Sequence, residues 1–266
     1  MVCGSGDTFK TMRREGPPVA GSFLFMCHPC MNLILLSKED FVEGTTRVRL
    51  EGRRLRHVIE VHRADVGDEL CVGLIGDRIG TGEVVLLNQS ILEMDVRFER
   101  APPPALPVTL ILCLPRPKVL RRVLRSASAM GVKRIILLNA FRVEKSFWGS
   151  PVLDPERLHE QLVLGLEQSR DTILPEVLLR PLFKPFVEDE LPDLIQNTLP
   201  LVAHPHSSFL CPRGVSQAVT LGIGPEGGFI PYELEMLVSL GFTPVQLGER
   251  VLSVETAVPA LLARLF

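Results

Sequence analysis

The sequence has no long uninterrupted apolar run, even though 46% of its 266 residues are hydrophobic. A membrane-spanning helix needs about 18 consecutive apolar residues, and no stretch of this chain reaches that length. The apolar patch at residues 23–26 is too short for a signal peptide, and no A-x-A-like cleavage site follows it. We therefore expect the hydrophobic residues to form a buried core rather than a membrane segment.

The chain has six cysteines, too few for a disulfide-rich fold of this length, and Cys71 and Cys113 fall within strand-like runs. Isolated thiols of this kind are typical of the reducing cytoplasm, and we expect a cytoplasmic protein. Cys27 and Cys30 form a CxxC pair, but no second ligand pair and no βαβ pattern accompanies them. The pattern disfavours a redox or metal role, and we expect no metal.

The chain also lacks a strong net charge, since its formal value is −2. This balance excludes a protein that is basic over its whole surface. The charge is nevertheless segregated, because residues 115–145 contain nine Lys or Arg and one acid, whereas residues 146–266 contain seven and fifteen. A local basic patch can bind RNA even when the whole protein is slightly acidic.

Two glycine turns near the C-terminus lack the residues of a phosphate-binding loop. The first turn is GPEGG at residues 224–228, and the second is at Gly248. Neither has the Gly-Lys-Ser/Thr of a P-loop or the spacing of a dinucleotide-binding loop, and Glu226 would repel an anion. A cationic or zwitterionic ligand fits these turns better, and a tight turn with a surface glutamate is the simpler alternative.

The chain divides at a proline-rich segment. Short alternating runs between residues 32 and 99 predict a small β-barrel, and residues 101–107 hold four prolines and predict a stiff linker. Beyond the linker, strands alternate with helices, which predicts a mostly parallel α/β sheet with helices on both faces and ligands at the carboxyl ends of its strands. The predicted strands are 47–50, 69–74, 82–87, 91–98, 108–114, 134–138, 176–179, 199–203, 219–223 and 243–247. The predicted helices are 118–130, 155–168, 187–196, 254–266 and one that starts at Pro231 and ends near Gly241.

Two segments, IGPEGGF at residues 223–229 and LGERVLSVETA at residues 247–257, resemble the signature of the ribosomal RNA small subunit methyltransferase E family. That family belongs to the knotted SPOUT class. The resemblance implies an S-adenosylmethionine-dependent enzyme that methylates N3 of a uridine in 16S ribosomal RNA and pairs as a homodimer through its knotted domain. It divides the chain into an extension or over-extended start at 1–30, a PUA-like RNA-binding β-barrel at 31–101, a linker at 102–107 and a trefoil-knotted SPOUT methyltransferase domain at 108–266.

The resemblance implies that the cofactor binds in the loops that follow the last three strands. Arg250 is the candidate for stabilising the anion that develops on the uridine, and Glu226 contacts the cofactor or orients Arg250. A salt bridge from Arg250 to Glu249 or Glu255 is the alternative, and His204 is a weaker candidate for a general base. The implied cofactor-binding residues are Ala203, His204, Gly222, Gly224, Glu226, Gly227, Gly228, Leu247, Gly248, Val251 and Leu252.

Two basic clusters are candidates for contacts with ribosomal RNA. The barrel cluster consists of Arg53, Arg54, Arg56, His57 and Arg63. The helix cluster consists of Lys118, Arg121, Arg122 and Arg125, whose spacing of three and four puts them on one helix face. Either cluster could grip phosphates, and a solvated charged surface is the alternative in both places.

Several positions depart from the family's pattern. Ser126, Ala129 and Ser253 stand where the family has charged residues, Asp171 replaces an arginine, and His62 replaces an apolar residue. The cofactor loops are thus retained while charges that face RNA are fewer, which leaves the target nucleotide open. A non-catalytic RNA-binding or ribosome-assembly module with the same fold is the alternative function.

The last predicted helix has a strongly apolar stripe, which consists of Val258, Leu261, Leu262, Leu265 and Phe266. Such a stripe needs a partner surface, which is either the protein's own core or a second subunit.

Overall fold

The structure is a computed structural model that describes residues 32–266. The predictions for residues 1–30, which include the apolar patch at 23–26 and the pair Cys27 and Cys30, lie outside the described residues.

The first part of the described chain forms a five-stranded sheet. Its strands are β1 (Ile34–Leu36), β2 (Arg47–Leu50), β3 (Glu69–Leu74), β4 (Ile79–Leu87) and β5 (Leu92–Arg100), in the order β1-β3-β4-β5-β2. β1 runs parallel to β3, and the other neighbours are antiparallel. The strands that the sequence predicts here are confirmed, and β1 is an addition. The sheet order has β1 and β2 at its edges, so closure into a PUA-like barrel stays a prediction.

A helical segment that the sequence analysis did not predict lies between β2 and β3. A short 3-10 turn, Lys38–Asp40, precedes β2, and α1 (Gly52–His57) continues into a wider helical turn, Val58–His62. Leu55 and Val58 are buried against the apolar face of the sheet, so the segment covers the core of this part of the chain. The basic barrel cluster therefore lies on and beside a helix rather than in a loop.

The second part forms a six-stranded sheet in which every pairing is parallel. Its strands are β6 (Val108–Cys113), β7 (Arg134–Leu138), β8 (Glu176–Arg180), β9 (Leu199–Ala203), β10 (Val219–Ile223) and β11 (Thr243–Val245), in the order β11-β9-β10-β6-β7-β8. Its helices are α2 (Pro117–Ala129), α3 (Pro155–Ser169), α4 (Phe183–Pro185), α5 (Leu191–Leu194), α6 (Pro231–Ser239) and α7 (Val254–Leu265). Two 3-10 turns, Lys145–Gly149 and Pro151–Leu153, precede α3, and a wider turn, Phe186–Glu190, links α4 to α5.

Both faces of the second sheet are covered. All five residues of β10 are buried, and since successive side chains of a strand point to opposite faces, neither face is open to water there. α2 packs against both α3 and α7, and its buried stripe is the predicted one of Leu120, Val123, Leu124 and Ala127. The predicted α/β class with a parallel sheet is confirmed.

The predicted helix at 187–196 is wrong, since this stretch is divided between the turn Phe186–Glu190 and the one-turn helix α5. Pro192 has no N–H to donate to a preceding carbonyl, which opposes one continuous helix through this point.

The two sheets are joined by contacts as well as by the linker. The N–H of Leu33 donates to the Glu167 carbonyl at 2.8 Å, and the N–H of Gly76 donates to the Thr172 carbonyl at 2.9 Å. Leu33 also packs in a small cluster that includes Leu166 of α3. In the linker, the N–H of Leu106 donates to the Gly131 carbonyl at 2.9 Å, so this proline-rich segment is held against the second sheet. The segment 167–173 is called the joint below.

The apolar stripe of α7 is covered by the protein's own core. Val258, Leu261, Leu262 and Leu265 are at most 1% exposed, and only Phe266 remains partly exposed. The stripe therefore provides no argument for a second subunit. No helix within residues 32–266 has the length and apolar character of a membrane span.

Candidate functional site

Three turns begin at one edge of the second sheet. Ala203 of β9 lies opposite both Ile223 of β10 and Val245 of β11, so these parallel strands end in one row. The same row continues through Leu112 of β6 to Leu137 of β7. Because parallel strands bring their carboxyl ends together, the segments that follow β9, β10 and β11 share one edge, as the sequence analysis predicts for the cofactor loops.

The glycine turn after β10 is shaped by protein neighbours at two of its glycines. A Cβ on Gly224 would lie 3.0 Å from the Phe229 ring, and a Cβ on Gly227 would lie 3.1 Å from Cδ of Arg142. Gly228 differs, because its φ of +73° favours glycine and a Cβ there would meet nothing within 4 Å. Open space thus lies beside Gly228, whereas Arg142 occupies the space next to Gly227.

The turn after β11 exposes backbone donors. Gly248 has a φ of +135° with nothing within 4 Å of a Cβ position, and its N–H donates to Oε1 of Gln246 at 3.0 Å. Within the described residues, the N–H groups of residues 249–252 donate to no protein acceptor. A backbone donor without a protein partner binds water or a ligand. Val251 and Leu252 are exposed beside these donors.

The two predicted catalytic side chains have separate surroundings. Glu226 is exposed, and its Oε1 accepts the backbone N–H of Arg116 at 3.3 Å. Arg250 is exposed and forms no ion pair within residues 32–266. The alternative in which Arg250 pairs with Glu255 is wrong, because Glu255 instead contacts Arg122 at 3.0 Å. Orientation of Arg250 by Glu226 is not seen either.

His204 connects the ends of β9 and β11 through its backbone. Its N–H donates to the Val245 carbonyl at 2.9 Å, which fixes the start of the first turn. Burial, with a smaller contribution from His206 nearby, lowers the pKa of the His204 imidazole. The role of the His204 imidazole as a general base stays a prediction.

Three residues that were not predicted from the sequence contact the glycine turn or its neighbours: one follows β6, one follows β7 and one lies in the first turn of α6. The Arg142 guanidinium donates from Nη1 to the Gly227 carbonyl, and the Arg116 backbone donates to Glu226. Glu233 is 3% exposed and accepts the N–H groups of Phe141 at 2.7 Å and Ile230 at 3.1 Å. The rule that ligands bind at strand carboxyl ends also applies to β6 and β7, so the signal was present in the sequence.

Some side chains of the barrel cluster form ion pairs within the described residues, and others do not. Arg54 donates to both carboxylate oxygens of Asp40 at 2.6 Å, and Arg53 pairs with Glu167 of the joint at 3.2 Å. Both side chains therefore have structural partners. Arg56 and Arg63 are exposed and make no ion pair in the described part of the chain, so they remain candidates for RNA contact.

His57 of the barrel cluster lies against His62, with ring centroids 5.2 Å apart. Nε2 of His62 is buried and has no hydrogen-bond partner within residues 32–266. Burial, and to a smaller degree His57, lowers the pKa of His62. An apolar residue would suit this environment better, in keeping with the departure noted in the sequence.

The helix cluster divides in the same way. Arg122 pairs with Glu255 at the start of α7, and Nε of Arg125 donates to Gln161 of α3 at 2.7 Å. Lys118 and Arg121 are exposed and form no ion pair within the described residues. Two of the four basic residues on the predicted helix face therefore contact neighbouring helices, and the other two remain available to RNA.

Of the family departures, Asp171 has the clearest structural role. It is 3% exposed, its Oδ2 accepts from Lys133 Nζ at 2.5 Å, and its Oδ1 accepts the N–H of Ile173 at 2.9 Å. Asp171 thus holds the joint instead of facing a substrate. Nothing in the structure explains Ala129.

No group of three or more His, Cys, Asp or Glu that could hold a metal ion occurs within residues 32–266.

A parallel α/β sheet whose three C-terminal turns share one edge is the architecture described so far, and comparison with known proteins identifies its family. The family of RNA methyltransferase domains matches residues 102–266, and the chain belongs to this family. The predicted resemblance to the small subunit methyltransferase E proteins is confirmed by its relatives. Ribosomal RNA small subunit methyltransferase E of Treponema pallidum is 27% identical over 238 residues, which cover 88% of this chain and 90% of that protein. Methyltransferase E 1 of Borreliella burgdorferi is 22% identical over 228 residues, which cover 85% and 94%.

A solved structure shares the fold. The crystal structure of a ribosomal RNA small subunit methyltransferase E from Neisseria gonorrhoeae bound to S-adenosyl methionine superposes with a TM-score of 0.67. The alignment covers 88% of this chain and 95% of that chain at 21% identity. This likeness concerns the fold, and the chemistry of the site is argued from the residues of the present chain.

Proposed function

We propose that the protein is an S-adenosylmethionine-dependent methyltransferase that modifies N3 of a uridine in 16S ribosomal RNA. The observation that carries the proposal is the row of strand ends at Ala203, Ile223 and Val245, because it joins the three predicted cofactor turns at one edge. Membership in the RNA methyltransferase domain family supports the reaction class. The small subunit methyltransferase E relatives support ribosomal RNA as the substrate.

The residues of this edge fit the cofactor. The open space beside Gly228 and Gly248 admits a ligand against the main chain, and the free N–H groups of residues 249–252 can donate to its polar atoms. Exposed Val251 and Leu252 offer apolar surface for an adenine ring. Glu226 supplies a carboxylate that attracts a sulfonium or an ammonium group. When bound, S-adenosylmethionine supplies an electrophilic methyl group.

The protein's own contribution to the chemistry is orientation and charge. N3 of uridine becomes nucleophilic when its imide proton leaves, and the negative charge that develops is delocalised onto the carbonyl oxygens. An arginine side chain supplies a positive charge, and Arg250 forms no ion pair in the described residues, so it is available to stabilise this anion. Arg142 fixes the glycine turn by its contact with the Gly227 carbonyl.

The trefoil knot, the homodimer and the domain boundaries at 31–101, 102–107 and 108–266 belong to this proposal. The segment between β9 and β10 supports the knot, because it contacts both the end of β11 and the end of α7. Leu210 pairs with Gln246, and Nε of Arg264 donates to the Cys211 carbonyl at 2.6 Å.

The homodimer has a candidate surface beside α7. An open groove of about 470 Å³ lies there, lined in part by Ala260, Ala263 and Phe266, and a second subunit could cover it.

The proposal is tested by mass spectrometry of small-subunit rRNA nucleosides from a strain that lacks the protein. N3-methyluridine should be absent from the deletion strain, return when the wild-type protein is restored and stay absent with Arg250→Ala. Calorimetry should show that Arg250→Ala retains affinity for S-adenosylmethionine, since the residue acts on the uridine. N3-methyluridine that persists in the deletion strain would overturn the proposed target. RNA binding by the wild-type protein without any methyl transfer would favour the non-catalytic alternative.

A further inference from the structure

Phe141 is an aromatic side chain with unusually high exposure at the edge that carries the glycine turn. Its exposed fraction is 78%, although a phenylalanine ring in water loses the free energy that burial would provide. Leu137 lies in the same strand row as Leu112 and Ile223. Phe141, Arg116 and Gly227 each lie four residues past this row, so the three turns leave the sheet at the same level.

The backbone that carries the ring is fixed. The N–H of Phe141 donates to Oε1 of Glu233, a carboxylate that is 3% exposed and also accepts the N–H of Ile230. The next residue, Arg142, packs its side chain on Gly227 and donates to the Gly227 carbonyl. Hydrogen bonds to a buried carboxylate are stronger than those between neutral groups, so the ring is presented from a rigid support.

Several cations at the ends of β6 and β7 have no carboxylate partner within residues 32–266. Among the described residues, the guanidinium of Arg116 and the ammonium groups of Lys118 and Lys145 form no ion pair. The acids near this edge are Glu144, which is exposed next to Lys145, Glu226, which accepts the Arg116 N–H, and Glu233, which is buried and accepts the Phe141 N–H. An exposed ring at a sheet edge that also carries unpaired cations favours a ligand that has both a flat apolar face and phosphates, and unpaired RNA has both.

We propose that Phe141 stacks on an unpaired base of the RNA substrate beside the glycine turn, while Arg116 and Lys118 contact the adjacent phosphates. The inference rests on the proposed function and names a substrate-binding residue for it. An apolar protein partner would cover the same ring, but it would leave the neighbouring cations without counter-charges. The observations therefore favour RNA, and a protein partner becomes an outcome of the test.

The test compares Phe141→Ala and Phe141→Trp with the wild-type protein for binding to a radiolabelled small-subunit rRNA transcript on nitrocellulose filters. Loss of one base–aromatic stack costs about 1–3 kcal/mol, which corresponds to about 5- to 150-fold weaker binding for Phe141→Ala. Phe141→Trp should retain the wild-type affinity, because the indole ring also stacks. The salt dependence of binding should stay unchanged in both variants, since neither alters a charge. Calorimetry should show unchanged affinity for S-adenosylmethionine.

Val238→Ala is the control, because Val238 is also an exposed apolar residue, at 44%, but lies in α6 and not in a turn that follows a strand. Its RNA affinity should equal that of the wild type. Equal affinity of Phe141→Ala and the wild type would overturn the inference, as would equal losses in Phe141→Ala and Val238→Ala. A change of mass in light scattering for Phe141→Ala would assign the ring to a protein interface instead. The proposed function fails separately, when the wild-type protein transfers no methyl group.

Discussion

Lys133→Met should strongly destabilise the protein, because it removes the cation that neutralises Asp171 in the joint. The Asp171 side chain is 4% exposed and that of Lys133 is 17% exposed, so water cannot replace the missing charge. After the substitution, the carboxylate would keep the N–H of Ile173 at 2.9 Å as its protein donor. Removal of one partner from a buried ion pair costs about 3–5 kcal/mol.

This cost should be visible in thermal unfolding. A loss of 1 kcal/mol lowers the Tm of a protein of about 150–250 residues by about 2–4 °C, so Lys133→Met should lower it by about 6–20 °C. The double variant Lys133→Met with Asp171→Asn should recover most of the loss. Asparagine is neutral and keeps an oxygen that can accept from Ile173, so no buried charge remains uncompensated.

The assay is urea and thermal unfolding of the wild type, both single variants and the double variant, evaluated as a double-mutant cycle. Arg134→Met is the matched control, because its partner Glu176 is 52% exposed and the pair should contribute less than about 1 kcal/mol. The reasoning is refuted if Lys133→Met costs no more than Arg134→Met. It is also refuted if the double variant is no more stable than Lys133→Met alone.

Two further predictions concern pH and salt. Burial, with a smaller contribution from His57, holds the pKa of His62 below its usual value, so the unfolded chain binds the proton more readily and stability should fall as the pH drops below about 6.5. His62→Leu should flatten the dependence of Tm on pH in this range, and an unchanged slope would contradict the assignment. Lys118→Gln combined with Arg121→Gln should reduce the slope of log K for RNA against log salt by about 1.5, since each phosphate contact contributes about 0.7–0.9. Unchanged affinity for S-adenosylmethionine is expected for the pair, and an unchanged slope would leave Arg56 and Arg63 as the main phosphate contacts.

The local pattern of apolar residues was sufficient to predict most strands of the second sheet. Val219–Ile223 and Leu199–Ala203 are short, mostly apolar runs, and the observed strands have the predicted limits. The same pattern did not predict elements whose sequence has few apolar residues. Gly52–His57 forms a helix although Leu55 is the one large apolar residue in this segment, because Leu55 and the following Val58 are buried under the first sheet. Such tertiary burial is not visible in a six-residue window.

The candidate site was predictable only within its own segments. The turns at residues 224–228 and 248 were expected from glycine and from the resemblance, and the parallel register brings their strands together. The side chains that join these turns come from far along the chain: Arg142 contacts Gly227 across 85 residues, and Glu233 reaches Phe141 across 92. No periodicity encodes such pairings. For the same reason, the sequence could not show which arginines of the barrel and helix clusters have acidic partners.

The contact between Arg142 and Gly227 changes what a glycine at position 227 means. A Cβ there would meet the Arg142 side chain at 3.1 Å, whereas the space beside Gly228 is open. Glycine is thus required at 227 because the Arg142 side chain fills the space that a side chain would need. Glycine is favoured at 228 because the backbone there has a positive φ. Substitutions at 142 and 227 should therefore be interdependent in evolution: a smaller residue at 142 would permit alanine at 227, whereas no neighbour could relax the demand at 228.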